Sequence, residues 1–429
     1  MQTGGIKREI FGNAAFSLFC ALVIGILAYL VRRTTANGLP ANEYAFFYST
    51  FSLIEMMIAL GSLGIPNAAF FFIPDYGNRG ETDKARGVYA WSLRMVFGVG
   101  ILLTFVGLPA VLLIGRNLER YGIASSWVFR LLLLLPLPIC VHVAMTTMLN
   151  GMKEFVAANL ILLWYTLSIF TGVMLFWRDY GLPAVISVYA FGAFTSAAAG
   201  VLWCIKKRGF GFWHHIAPEV RGKMIAAGGW LLLSCTGYYY FSELGNVLLS
   251  FIGTPEETLK FNIALPIALM VRPLYSVSRV FAPFSNQLFQ QREYRSLRHS
   301  VWSMLAATLL MMVAAAAVFL PFGEIILTLL FGARFAPVAS CTLILIEGAL
   351  LWNAARFYAD MLNSMRHERL AALIAVSAAL ASVALYFLLS PSWGAVGTAW
   401  AALAASFVWM AATLVSTLTV LKRIPAREE

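Results

Sequence analysis

The chain is poor in charge. Only 12% of its 429 residues are Asp, Glu, Lys or Arg, while 60% are hydrophobic; a water-soluble domain carries roughly 25% charged residues. A soluble fold of this length has no place to hide apolar runs that follow one another from end to end. Polar connections are short throughout, which leaves no room outside the membrane for a catalytic domain and counts against a polymerase or glycosyltransferase. No P-loop pattern occurs, so an internal ATPase is excluded. The five cysteines (Cys20, Cys140, Cys204, Cys235 and Cys341) stand singly in apolar stretches without metal-ligand spacing. They read as small core residues, and neither a metal nor a cofactor is expected. His142 is alone in an apolar run, and His214, His215, His299 and His367 lie near charged ends. Each reads as a satisfied or solvent-facing side chain. The net charge of +11 is scattered, with no extended basic patch, which argues against a nucleic-acid partner.

What the chain does have is a succession of apolar runs, each able to cross the roughly 30 Å hydrocarbon core as a helix. They predict spans at 12–33, 44–74, 88–115, 124–149, 156–177, 183–205, 224–252, 260–287, 300–320, 336–363, 369–390 and 395–421. The expected class is all-α, a polytopic membrane protein of about twelve transmembrane helices. The first run follows Lys7 and Arg8 but continues to Arg32 and Arg33, too long for a signal peptide. Lys and Arg are divided about 19 against about 7 between the two sets of span ends, which predicts that both termini are cytoplasmic.

The sequence also repeats itself. Met148-Leu149-Asn150-Gly151-Met152-Lys153 recurs as Met361-Leu362-Asn363-Ser364-Met365-Arg366, 213 positions on. Leu108-Pro109 recurs as Leu320-Pro321, and Ala184-Val185 as Ala395-Val396, at nearly the same offset. Two six-helix lobes are therefore expected, 1–207 and 224–429, joined by a basic linker at 208–223. An even number of spans per copy predicts parallel repeats related by a pseudo-twofold along the membrane normal.

Charged side chains deep in a span usually face a cavity or a partner. In the eighth span Arg272, Tyr275, Ser276, Arg279, Pro283 and Asn286 share one helical face. Two stacked guanidinium groups suit a diphosphate; the competing reading is pairing with acids of other helices. In the tenth span Arg356 and Asp360 are four apart and are expected to pair with each other, while Glu347 lies on another side. Tyr239 and Glu243 share a face of the seventh span, suited either to a sugar ring and a coupling proton or to plain aromatic packing. Glu55 has no partner in its own helix and is a proton or cation candidate by default. Arg32 and Arg33 close the first span, as flanking charges or as guards of the outer mouth. The candidate substrate-binding set is thus Arg272, Arg279, Arg33, Arg356 and Tyr239, and the coupling-ion set Glu55, Glu243, Glu347 and Asp360.

Further motifs run the length of the chain: Asn42-Glu43-Tyr44 with Phe46-Phe47, Leu63-Gly64-Ile65, Pro283 with Ser285, Leu330-Phe331-Gly332 with Phe335, and Gly394-Ala395-Val396-Gly397. With these the chain resembles the polysaccharide-transporter branch of the multidrug/oligosaccharidyl-lipid/polysaccharide exporter superfamily, the O-antigen-type flippases. The resemblance implies two rocking six-helix bundles in a bacterial inner membrane and a cargo of sugar units on a polyprenyl diphosphate. It implies contact with membrane lipids and other glycan-assembly membrane proteins, and work as a monomer. The alternative is a cation-coupled drug exporter of the same superfamily, expected to show an acidic, apolar interior in place of a basic one; a membrane enzyme of glycan assembly fits less well.

Overall fold

The computed structural model describes the backbone of residues 2–122, 132–274, 288–289, 293–365 and 367–423; within these the side chains of 2–15, 18, 78, 106–121, 234–240, 242, 272–274 and 423 are outside the description. Thirteen α-helices make up the described regular structure, together with a π-turn and two 3-10 turns. The first seven are α1 Gln2–Gly38, α2 Ala41–Gly61, α3 Ile65–Asn78, α4 Thr82–Tyr121, α5 Pro136–Gly151, α6 Phe155–Tyr180 and α7 Leu182–Arg208. Then come α8 Pro218–Tyr239, the π-turn Tyr240–Leu244, α9 Gly245–Ile252, α10 Pro255–Ala268 and a 3-10 turn Leu269–Leu274. The chain ends with α11 Tyr294–Phe331, a 3-10 turn Ala333–Val338, α12 Ala339–Ser364 and α13 Glu368–Arg423. Among the described residues eight helices are long and apolar enough to cross a membrane, and α13 is long enough to do so twice. This is an all-α, multi-pass membrane protein. On α11 the side chains of Leu310, Val313, Leu320 and Leu329 are fully open, as lipid-facing residues of a spanning helix are.

The chain divides into two compact units, Met1–Leu232 and Leu233–Glu429, with the division inside α8. In the first unit α6 packs on α7 and α1, α4 on α3 and α5, and α5 on α7. In the second, α12 is the central helix, packed on α13, α11 and α10, while α9 packs on α13. Almost every side chain of α12 from Leu345 to Leu362 is buried.

The internal repeat has a geometric counterpart. At the end of α5 the N–H groups of Met152 and Glu154 donate to the carbonyls of Met148 and Leu149, each at 2.9 Å. At the end of α12 those of Met365 and His367 donate to Met361 and Leu362, at 3.0 and 2.9 Å. Gly181, before α7, has φ 57° and ψ −140°; Gly394, where α13 bends, has φ 55° and ψ −131°. Only glycine adopts this conformation without strain, so both copies turn between their last two spans on the same device, again 213 positions apart.

The bend at Gly394 also explains the Gly-Ala-x-Gly motif. Glu257, near the start of α10, accepts the Ala395 N–H at 2.8 Å and the Lys260 ammonium at 2.6 Å. It thereby caps the last half of α13. A Cβ on Gly394 would lie 2.4 Å from the Glu257 carboxylate, and one on Gly397 would lie 2.2 Å from the Leu389 carbonyl. Burial pushes the Glu257 carboxyl up, but the Lys260 hydrogen bond and the Ala395 N–H outweigh it and hold it below the usual carboxylate range. With the folded state on the low side, the contribution of Glu257 is complete above the ordinary value of 4.5 and drains away as pH falls below it. Glu257→Ala is expected to destabilise by about 1 kcal/mol, the usual worth of a helix cap. The loss should vanish in acid, and unfolding of purified protein at neutral and acidic pH measures it.

The second predicted span, 44–74, is not one helix. Leu63 and Gly64 have φ of 51° and 67°, two left-handed residues in a row, and they separate α2 from α3. An apolar run hides such a break because hydropathy is blind to backbone hand. The Leu-Gly pair is its one sequence mark.

Candidate functional site

Polar residues inside the first unit gather where α1, α2, α5, α6 and α7 meet. The Arg32 guanidinium lies over the Tyr48 ring, 4.2 Å from its centroid. The Thr35 hydroxyl is hydrogen-bonded to the Tyr48 hydroxyl at 3.2 Å and donates to the Val31 carbonyl at 2.9 Å. Tyr44 and Tyr48 rings are 4.6 Å apart, and Phe47 and Phe51 meet the edge of Tyr189 at 5.1 and 5.3 Å. Next to this aromatic wall the His142 and Tyr165 rings stack 4.5 Å apart, and His142 Nδ1 is 2.8 Å from the buried Ser196 hydroxyl. Glu55 is close enough to act electrostatically on Tyr165. A cation over an aromatic face is held by the ring quadrupole, more firmly where water is excluded. The wall therefore shows that this interior can hold a positive charge on carbon rings.

In the second unit the π-turn brings Glu243 into the interior, where it is buried. A π-turn adds a residue to a helical turn and re-aims the side chains after it. Behind it Asn246 accepts from Asn262 at 2.7 Å, and Asn262 also donates to the Thr258 carbonyl. Asn353 of α12 donates to Val271 at 3.4 Å, holding the 3-10 turn that contains Arg272. Arg356 and Asp360 form an ion pair at 3.5 Å, the pairing their four-residue spacing predicts. Phe241 stacks on Trp352 at 6.3 Å, an approach that Gly348 permits because a Cβ there would lie 2.9 Å from the Phe241 ring. Glu347 stands apart. Both of its carboxyl oxygens are shielded from solvent and have no hydrogen-bond partner among the described residues.

The structure thus brings Arg356 and Asp360 together, buries Glu243, places Glu55 beside the Tyr165–His142 stack and leaves Glu347 without a hydrogen-bond partner among the described residues. Arg33 is exposed, and its carbonyl accepts from the Asn37 side chain. Arg279 and the side chains of Arg272 and Tyr239 lie outside the described residues. Sequence reasoning missed the Arg32–Tyr48 contact and the His142–Tyr165 stack. Arg32 and Arg33 look alike in sequence. The spacing of Tyr44 and Tyr48, four apart on one helical face, was the available signal for the first contact.

No family model matches the chain. An uncharacterized membrane protein of Methanocaldococcus jannaschii is 19% identical over 422 residues, covering 92% of this chain and 81% of that one. Among solved structures, an inward-facing multidrug resistance MATE family transporter of the MOP superfamily superposes with a TM-score of 0.77 at 14% identity, over 96% of this chain and 100% of that one. The fold is that of the MATE transporters. A Vibrio cholerae MATE transporter mutant matches at 0.68 and 13% identity, over 98% of each chain. So does a MOP superfamily transporter of Pyrococcus furiosus, at 0.68 and 14%, over 96% of this chain and 95% of that one. That protein is described as having a binding pocket of reverse polarity, which suggests a different function for it.

Proposed function

We propose that this chain is a cation-coupled exporter of amphipathic organic solutes, the reading that the sequence carries as its alternative. The observation that carries it is Glu347, an intramembrane carboxylate whose oxygens are out of water and without a hydrogen-bond partner among the described residues. Such a group is stable in the bilayer only with a proton or a bound cation on it. Glu243 and Glu55 add further acid to the interiors of the two units, while the Arg356 charge is cancelled by Asp360. Apart from Arg32 on its aromatic wall, the charges described in these interiors are acidic and set among aromatic rings, the pattern expected of an exporter of lipophilic cations. The likeness to MATE transporters supports the same reading.

A second reading, flipping of a polyprenyl-diphosphate-linked sugar, is favoured by Arg272 in the 3-10 turn that follows α10, with Arg279 seven residues on in the sequence. In either reading the protein sits in a bacterial inner membrane with both termini cytoplasmic and works as a monomer. Proteoliposomes separate the two. An imposed proton or sodium gradient is expected to speed expulsion of a fluorescent lipophilic cation at least tenfold, with no movement of a fluorescent polyprenyl-diphosphate sugar. Sugar-lipid flipping that collapses in Arg272→Ala/Arg279→Ala, with no gradient-driven dye export, would replace the first reading by the second.

A further inference from the structure

The connection from α7 to α8, a basic loop in the sequence, packs in an unexpected way. Phe210 is buried against Tyr89 of α4, with ring centroids 5.5 Å apart. The Phe212 ring lies 5.7 Å from Phe97. Phe97 is fifteen residues into α4, about 22 Å along the axis from its first residue, within the apolar stretch Thr82–Phe105. The segment therefore runs up the side of a spanning helix and back to Pro218.

Its backbone is provided for. Arg94 donates to the His214 carbonyl at 3.2 Å, which supplies a partner where water is scarce. The His215 carbonyl sits against Gly87, where a Cβ would come within 2.3 Å of it. An arginine inside a span and a glycine facing it thus hold this loop in place.

Trp213, next in line, points away from the protein and is 85% exposed, the most open of the large apolar side chains described. At the two ends of this connection Lys206, Lys207 and Arg221 are exposed and belong to no ion pair among the described residues, Lys207 lying over the Trp203 ring at 5.7 Å, whereas Arg208 and Lys223 are taken by Glu154 and Glu219. An indole with an apolar body and one N–H donor belongs at a membrane interface, and basic groups without an acidic partner at such an interface meet lipid phosphates.

We propose that residues 206–221 form a membrane-surface anchor, with Trp213 seated in the interface and Lys206, Lys207 and Arg221 holding headgroups of anionic phospholipid. The bilayer is the occupant because Phe212 packs on a stretch of α4 long and apolar enough to cross one, and the exposed cations of this segment complement anionic headgroups. The anchor fixes the stretch of chain between α7 and α8 to the lipid surface, whatever the cargo.

The test uses the full-length protein in nanodiscs of phosphatidylcholine containing a small fraction of acyl-brominated phosphatidylglycerol or acyl-brominated phosphatidylcholine. The spectrum of wild type minus Trp213→Phe isolates one indole of twelve; Trp213→Tyr gives the same difference if the first variant inserts poorly. The expected component is blue-shifted and quenched by brominated lipid, about twofold more by the anionic one. That preference should disappear in Lys206→Gln/Lys207→Gln/Arg221→Gln. A Trp213 component open to aqueous acrylamide and untouched by either brominated lipid would overturn the anchor. Equal quenching by the two lipids in wild type would overturn its selectivity for anionic headgroups.

Discussion

Gly64→Ala is expected to be the most damaging single substitution in the first unit, lowering stability by roughly 3 kcal/mol. Two independent effects add at this position. Gly64 has φ +67°, a left-handed conformation that costs an L-residue roughly 1–2 kcal/mol. A Cβ there would also lie 2.2 Å from the Gly228 carbonyl oxygen of α8. That atom belongs to the backbone, so the helix itself has to shift, and overpacking of this kind costs roughly 1–3 kcal/mol. Neighbouring glycines separate the two effects. Gly80 has φ +76° with nothing within 4 Å, so alanine meets the strain alone, about 1 kcal/mol. Gly228 lacks the positive φ, but its Cβ would sit 2.7 Å from the Leu63 carbonyl, so alanine meets the clash alone. Gly222 has neither, and its alanine variant should be neutral. Unfolding midpoints of the four purified variants should rank Gly64 lowest, Gly228 and Gly80 between, and Gly222 with wild type. Equal midpoints for the Gly64 and Gly80 variants would show that the close approach of α8 to the break is not tight.

The same glycine shows how the fold was legible in the sequence. Hydropathy located the apolar runs because each has to match the thickness of a bilayer, but across 44–74 it read two helices as one. The break is a matter of backbone hand, and Leu63-Gly64 carries it in two residues. The repeat was easier to see. The Met-Leu-Asn motif ends a helix with a fixed set of backbone hydrogen bonds, and the glycine after the penultimate span makes a turn no other residue makes without strain. Side-chain partners were the least legible. Arg356 and Asp360 could be paired because they are one helical turn apart, whereas His142 meets Tyr165 and Ser196 across three helices. Arg94 meets a carbonyl that lies 120 residues away in sequence. The basic linker misled for a different reason. Its lysines and arginines announce water, while Phe210, Phe212 and Trp213 between them follow the side of α4.

Glu347→Gln is expected to abolish gradient-driven export, at least tenfold, while leaving insertion and folding intact. The environment of α12 is the reason. Ile346, Gly348, Ala349, Leu350 and Leu351 around Glu347 are buried, and Gly348 is pressed between the Phe241 ring and the backbone of Leu403. Nothing among the described residues donates to the Glu347 carboxylate, and an ion removed from water without compensation carries a penalty of several kcal/mol. A neutral glutamine has no such penalty, so the substitution should be tolerated structurally. It removes a carboxylate that requires a proton or cation to arrive and leave. Asp360 makes the contrast. Its carboxylate is held by Arg356 at 3.5 Å, and both side chains are largely enclosed. Asp360→Asn removes the carboxylate from this pair, and breaking an enclosed pair from one side costs roughly 3–5 kcal/mol at full burial. That variant should lose stability and transport together. Glu347→Gln should lose coupling alone, keeping dye binding and its unfolding midpoint. Measuring both variants for dye affinity, thermal midpoint and gradient-driven efflux distinguishes a coupling carboxylate from a structural one. Full gradient-driven efflux by Glu347→Gln would sink the role assigned to this residue, and the acids to test next are Glu243 and Glu55.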